Sequence, residues 1–397
     1  MFQSHHRLWI GTLGPLALLR LGRAFLRLLS DSGPLAAIDL RLRHEETLLW
    51  FSGGDVYGLA RVTYPPGTYA ILFPALGWND FNTARWLWAG LSLLLCAFLV
   101  RTVWRAAGAV NRAERTSWAF LVLAMASVSV TIGNGQMGLC ILVVLLAAIS
   151  RIDTEIRSHA GPLASAGRGF HHSLLAALLA LALIKPTASL PFLWLFVALG
   201  AWRGLIGGLL LYSLLTLGAA GFQDGSLPGL VSSWLEQSRL SQQEPGYANL
   251  SSLLGTTFPP TGGLSLSLLA FLGAGAWVIV HRNGAPWALA GLLGIVARLW
   301  TYHRIYDDLL LIPAVIALYR HPGGAGGKWR QILLLLSLTS LLAPGSLRLL
   351  PFPWGRIYEF WQVTVWLALL AFMAFLTRQE AQASPDPAGQ PVERIEA

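Results

Sequence analysis

The chain has 397 residues, 55% of them hydrophobic and only 12% charged, with a mean hydropathy of +0.57 and a formal charge of +9. Soluble domains carry about 25% charged residues, so an ordinary soluble globule is excluded and the chain falls in the membrane class. Its positive charge is scattered through short loops, as arginine-rich cytosolic loops leave it, which argues against nucleic acid as a partner.

The first apolar run, 8–29, is too long for a signal-peptide core and is interrupted by Arg20, Arg23 and Arg27, so it reads as an imperfect first span. The three arginines recur at helical spacing and form one stripe. A polar stretch follows, "AIDLRLRHEETLLWFSGGDVY", and continues into the turn-rich loop "GGDVYGLARVTYPP" at 53–66. The apolar "GTYAILFPALGW" at 67–78 is expected to be a re-entrant or interfacial helix starting at the Pro-Pro pair, because proline suits a first helical turn. Further apolar cores lie at 86–100, 118–132, 137–149, 174–184, 190–199 and 205–220, then at 264–280, 287–300, 309–318, 332–342 and 360–376. Spans need roughly 20 apolar residues, and several of these are short. The expected architecture is an all-α polytopic bundle of about 12 transmembrane helices over 1–378, with an outer-face loop and re-entrant helix after the first span. The polar, Pro-rich tail 379–397 reads as disordered and cytosolic. Cys96 and Cys140 sit inside apolar runs as small packed hydrophobes, and there is no metal motif.

Basic loops set the orientation. Arg101, Arg105, Arg112 and Arg115 share a side with Arg151, Arg157 and Arg168, with Arg320, Lys328 and Arg330, and with Arg378. That side is expected to be cytosolic. The segment after the first span, "IGNGQMG" (132–138), "LIKPTASL" (183–190), the loop 221–260 and "ARLWTYHRIYDD" (297–308) all fall on the opposite face. Polar groups at membrane depth are expensive and mark functional sites. A site on one face suits an enzyme; a transporter, the alternative reading, concentrates such residues near the midplane.

Asp39 is a candidate general base, since a carboxylate half out of water holds a raised pKa, or it caps the helix that follows. Asp55 is the rival base, in a segment that reads first as a turn. Lys185, one of two lysines in the chain, either stabilises an anion or snorkels to the interface. Arg298, His303 and Arg304 form a second basic group, suited to phosphate or to interfacial anchoring. Asn134 and Gln136 sit in a glycine turn and either bond sugar hydroxyls or satisfy the turn itself. Trp234 and Asn249 lie in the long loop, a plausible acceptor rim, and Tyr57 and Tyr64 complete the candidate substrate-binding residues.

An aspartate after the first span, then "GGDVY", then "YPP" before an apolar helix resembles glycosyltransferase family 87. So do "GNGQ" in an outer turn, "KPT" ending a span, an outer "W…NLS" loop and "WTYHR". The resemblance runs from about Asp39 to about Pro313. It implies an inverting enzyme of the plasma membrane that takes a hexose, mannose-like, from a polyprenyl-phosphate donor to a lipid or glycan acceptor. It maps the catalytic aspartate to Asp39, and His303 fits its aromatic-His motif. Lys185, Arg298, His303 and Arg304 are then the groups expected near the donor phosphate. No cofactor is implied, the lipid-linked sugar being a substrate. Where the family has aromatic residues after the first aspartate, this chain has "RLRHEE". That departure bears on the identity of sugar and acceptor.

Overall fold

The computed structural model describes residues 6–30, 33, 36–59, 62–158, 168–242, 260–301, 303–321 and 327–383. Asn249 and the tail from 384 onward lie outside the described residues. The described elements are all helical. They are α1 (His6–Leu29), α2 (Ile38–Phe51), α3 (Pro66–Leu76), α4 (Phe81–Ala106), α5 (Arg112–Leu123), α6 (Ala126–Asn134), α7 (Gly138–Ser158) and α8 (Arg168–Ala182). Then come α9 (Pro186–Ala198), α10 (Trp202–Ala220), α11 (Leu227–Gln242), α12 (Pro260–Val280) and α13 (Pro286–Leu299). A 3₁₀ turn, Ile305–Leu311, leads into α14 (Ile312–Arg320), α15 (Gly327–Leu342) and α16 (Trp354–Ala383).

Each apolar core read from the sequence falls on a helix or a closely joined pair of helical segments. Among the described residues, α4, α10 and α16 are individually long and apolar enough to cross a membrane, and α5 with α6 makes a fourth if the bent pair is one span. α3 has 11 residues, a length of about 16 Å, too short to cross. It starts at Pro66 as expected, where a missing N–H costs nothing. α16 carries on to Ala383, past the start of the polar tail.

α13 is buried along its whole length. A helix that is apolar on every side is stable only inside other protein or lipid, and α13 packs against α9, α12, α14, α16 and the 3₁₀ turn. α8 and α10 run parallel, since Gly204 meets Leu175 and Gly208 meets Leu179 one turn further on. Two parallel helices need a return between them, which α9 supplies. The C-terminal ends of α8 and α10 therefore lie at the same end of the bundle.

The α5–α6 pair bends by 54° at residues 124–125. A bend opens carbonyls that water cannot reach in an apolar bundle. Arg20 answers this: one guanidinium nitrogen donates to Ala124 O and the other to Leu342 O, 2.8 Å away at the end of α15. Arg27 lies against Gly133 of α6, while Arg23 is exposed. The arginine stripe thus divides into packed residues and a surface one. Arg20→Met should lower stability by about 1–3 kcal/mol, as loss of this part-buried donor leaves two carbonyls unpaired, whereas Arg23→Met should stay within about 0.5 kcal/mol. Melting in detergent measures both; equal melting points would mean that Arg20 does not hold the break.

Candidate active site

α2 follows α1 and presents Leu40, Arg43, Thr47 and Trp50 inward at helical spacing. Trp50 anchors it, stacking on Tyr69 of α3 at 4.6 Å and donating its indole N–H to Ala219 O at the end of α10. The helix begins after Ala37, whose φ of 47° lies in the left-handed region. Asp39 is therefore in the first turn, where the helix dipole favours a carboxylate, and is not the cap. Its Oδ2 is buried with no hydrogen-bond partner. Burial raises the Asp39 carboxyl above its ordinary value, against the pull of Arg43, Asn134, Arg304 and Lys185.

Asn134 and Gln136 reach this place through Gly135. Gly135 ends α6 with φ 69°, and a Cβ there would lie 2.4 Å from Leu40 Cβ of α2. Only glycine satisfies both the left-handed cap and the close approach. The turn thereby presses onto α2, with the Asn134 side chain beside Asp39. Gln136 Oε1 accepts from Tyr64 OH at 2.8 Å and from Met137 N at 2.8 Å. The Tyr64 ring carries the Arg43 guanidinium 4.3 Å from its centroid. Arg43 pairs with Glu46 at 2.5 Å, and Glu46 accepts from Tyr69 OH at 3.2 Å. Burial pushes the Glu46 carboxyl up to about 7 in spite of Arg43.

Lys185 precedes Pro186, the first residue of α9, so the "KPT" turn fixes the lysine just before a helix start. Thr68 of α3 donates to Ile184 O at 2.9 Å, and Trp300 donates to Thr187 O at 2.7 Å, which ties this turn to both neighbours. Lys185 Nζ donates to Asp307 Oδ1 at 2.5 Å and lies 5.0 Å from the Tyr306 ring centroid. Asp307 Oδ2 accepts from Arg304 N at 3.1 Å and stands 3.0 Å from His303 Nδ1. Thr301 Oγ1 faces His303 Nε2 at 3.0 Å. Burial lowers the His303 pKa, against Asp307. Burial pushes the Asp307 carboxyl up, but Lys185 and His303 hold it well below the usual carboxylate range.

Arg298 belongs to a different pair. It is 0% exposed, donates to Asp308 Oδ1 at 2.6 Å and lies 4.5 Å from the Trp366 ring. Arg348 stands 3.9 Å from Asp308 Oδ2. A 3₁₀ helix turns about 120° per residue, so the adjacent Asp307 and Asp308 face different partners. Arg298 thus spends its charge first on Asp308, holding the turn to α13 and α16, while it still acts on His303 at longer range.

The loop 53–66 is clamped from above. Trp234 donates to Thr63 O at 2.9 Å, Gln237 to Tyr57 O at 3.0 Å and Gln223 to Trp50 O at 2.6 Å. Tyr57 OH closes the loop on Tyr64 O at 3.0 Å. Asp55 is exposed, and its Oδ1 accepts from Gly58 N, three residues on, at 3.0 Å. Asp39, Tyr64, Asn134, Gln136, Lys185, His303 and Arg304 therefore gather at one end of the bundle, with Tyr57 and Trp234 shaping the loop above them. Arg43 and Glu46 were not singled out from the sequence as site residues. "RLRHEE" reads as surface charge, and only the spacing of Asp39, Arg43 and Glu46 along one helix points inward.

An all-helical membrane protein with a carboxylate and cations gathered at one end is the class defined by these features. The sequence model of glycosyltransferase family 87 matches residues 63–319, and the chain belongs to that family. The matched stretch holds the Tyr64, Gln136, Lys185 and His303 elements, while Asp39 lies ahead of it. No curated protein and no solved structure matched the chain.

Gly135→Ala should destabilise the protein by about 1–2 kcal/mol from backbone strain alone, with more from the clash at Leu40. Gly138→Ala is the control, because its nearest neighbour would be an ordinary 3.6 Å away. Thermal melting of the two variants in detergent tests this; equal melting would show that the turn does not depend on Gly135.

Proposed function

We propose that this chain is an inverting glycosyltransferase that moves a hexose, mannose-like, from a polyprenyl-phosphate donor to a hydroxyl of a lipid or glycan acceptor. One observation supports it above the others: Asp39, with a buried and unpartnered Oδ2, stands within electrostatic reach of Lys185 and Arg304, which come from distant parts of the chain. The acceptor oxygen attacks the anomeric carbon from the face opposite the phosphate. Its proton passes to Asp39 Oδ2, the bond from the anomeric carbon to the phosphate oxygen breaks, and polyprenyl phosphate leaves with the electron pair. The configuration inverts.

The charge growing on the phosphate is stabilised by fixed cations in a low-dielectric setting, far more than by the same cations in water. Lys185, buried, and Arg304, exposed, serve that end, with Asp307 holding Lys185 and His303 in place beside the donor phosphate. Arg43 Nε and Nη1 are buried without hydrogen-bond partners and supply further donors. Tyr64, Asn134 and Gln136 bond sugar hydroxyls, and Asp55, Tyr57, Trp234 and Asn249 shape the acceptor entrance. This site faces the extracytoplasmic side of the plasma membrane in a multi-pass bundle of about 12 spans, and α3 is the re-entrant helix.

Asp39→Asn should keep the fold and lower transfer from a short-chain polyprenyl-phosphate hexose by about 10²–10⁴-fold, while Asp55→Asn changes little. A base works only when ionised, so the rate should rise with pH through a midpoint above the ordinary aspartate value of about 3.9. Arg43 pulls that midpoint down, and Arg43→Gln should move it up. Full activity of Asp39→Asn, or efficient transfer from nucleotide sugars, would overturn the reading.

Orientation is tested separately with an impermeant thiol reagent on intact cells. Ser226→Cys should be labelled at once and Val110→Cys only after lysis, both residues being exposed. The reverse pattern would put Asp39 on the cytosolic side.

A further inference from the structure

At the end of the bundle away from Asp39 lies a cavity of about 520 Å³, bounded by α1, the α4–α5 turn, the end of α14 and the start of α15. Trp9 lines it, and α1 runs from Trp9 to Leu29, about 30 Å at roughly 1.5 Å per residue, before reaching the Asp39 end. Ligand sites commonly enclose about 300–1,000 Å³. This one is built on a gradient. Glu114, Arg320 and Arg330 stand at its polar end, and Leu334, Leu335 and Leu338 form one stripe down α15. The stripe continues the i, i+4, i+8 row from Arg330, so the apolar wall extends away from the charge for about 12 Å.

Of the two arginines at the polar end, one is matched by a described carboxylate and one is not. Glu114 Oε2 accepts from Val110 N at 2.9 Å and so serves the start of α5. Arg320 lies 3.7 Å from Asp153. Arg330 donates to the His321 carbonyl at the end of α14, and no described carboxylate lies within ion-pair distance of it. Behind the same α4–α5 turn, a second cavity of about 230 Å³ is lined by Arg101, Arg105 and Arg115, with no acidic residue. A cationic mouth over a leucine-lined groove complements an amphiphile with an anionic head.

We infer that this groove binds an anionic phospholipid from the leaflet on the arginine-rich side. The lipid phosphate sits against Arg330, and one acyl chain follows Leu334, Leu335 and Leu338. This site is separate from the one at Asp39 and does not depend on the reaction proposed there.

The test uses the purified full chain, equilibrated with mixed micelles of equimolar phosphatidylglycerol and phosphatidylcholine and examined by native mass spectrometry. The wild type should retain one phosphatidylglycerol in preference to phosphatidylcholine. Arg330→Gln should lower that retention about tenfold, the effect of losing a charge-assisted contact, and Arg330→Lys should restore most of it. Leu335 is 48% exposed, so Leu335→Trp fills the groove without disturbing the core and should reduce retention of both lipids. Should Arg330→Gln melt early through loss of its cap on α14, Leu335→Trp decides alone. Equal retention of the two lipids, full retention in Leu335→Trp, displacement by excess inorganic phosphate, or a second copy of the chain in place of lipid would each overturn the inference.

Discussion

Two carboxylates side by side, Asp307 and Asp308, are buried in an apolar bundle, and the arrangement around them follows from the need to match their charge. An unpaired buried carboxylate costs several kcal/mol. Asp307 is matched by Lys185 and touches His303 Nδ1, and Asp308 is matched by Arg298 with Arg348 nearby. Those partners come from the start of α9, the turn after α13, α13 itself and the segment before α16. A short 3₁₀ turn thereby fixes four parts of the chain. Gly294 permits it, since a Cβ there would lie 2.2 Å from Leu310 O.

The same pairing sets how the site meets a substrate. Lys185 and His303 are held against Asp307 and cannot swing to the surface, so under the function proposed above the donor phosphate would meet a cation, Lys185, already in position. Preorganised charge of this kind stabilises a transition state without reorganisation. The other wall is made differently. There, Trp50, Tyr69, Tyr57 and Tyr64 pack α2 and the loop 53–66 into one aromatic block, capped by hydrogen bonds from the α10–α11 region. That is why so polar a loop survives between apolar helices: the carbonyls of Tyr57, Thr63 and Tyr64 and both tyrosine hydroxyls are hydrogen-bonded.

Much of this was legible in the sequence, for identifiable reasons. Apolar runs located the helices because burial of backbone in an apolar medium leaves few alternatives. "GNGQ", "KPT" and "WTYHR" announced themselves as polar breaks in those runs, and they do meet. Asp39 was legible for the same reason. Arg43 and Glu46 were not, because a buried ion pair looks like surface charge until the partner tyrosines are in place. Arg298 was grouped with His303 by proximity along the chain. Their pairing with different carboxylates comes from the 3₁₀ geometry, which points Asp307 and Asp308 apart and which no pattern of hydropathy encodes. Arg20 read only as one member of a stripe, and the bend at Ala124 supplied a role that depends on tertiary contact.

The division of labour between Asp39 and Asp307 follows from their surroundings. Both are carboxylates in the same group, and burial pushes both upward. Asp307 has Lys185 and His303 in contact, so its charge is fixed and its proton affinity is low; such a group holds cations and makes a poor base. Asp39 has cations only at longer range, a buried oxygen with no partner, and a pKa moved the other way. Where two like groups are driven apart in this manner, the raised one suits proton transfer and the lowered one suits electrostatic scaffolding. An exchange of the roles would require Asp39 to lose its isolation and Asp307 its lysine, which is to say a different packing of α2 and α9.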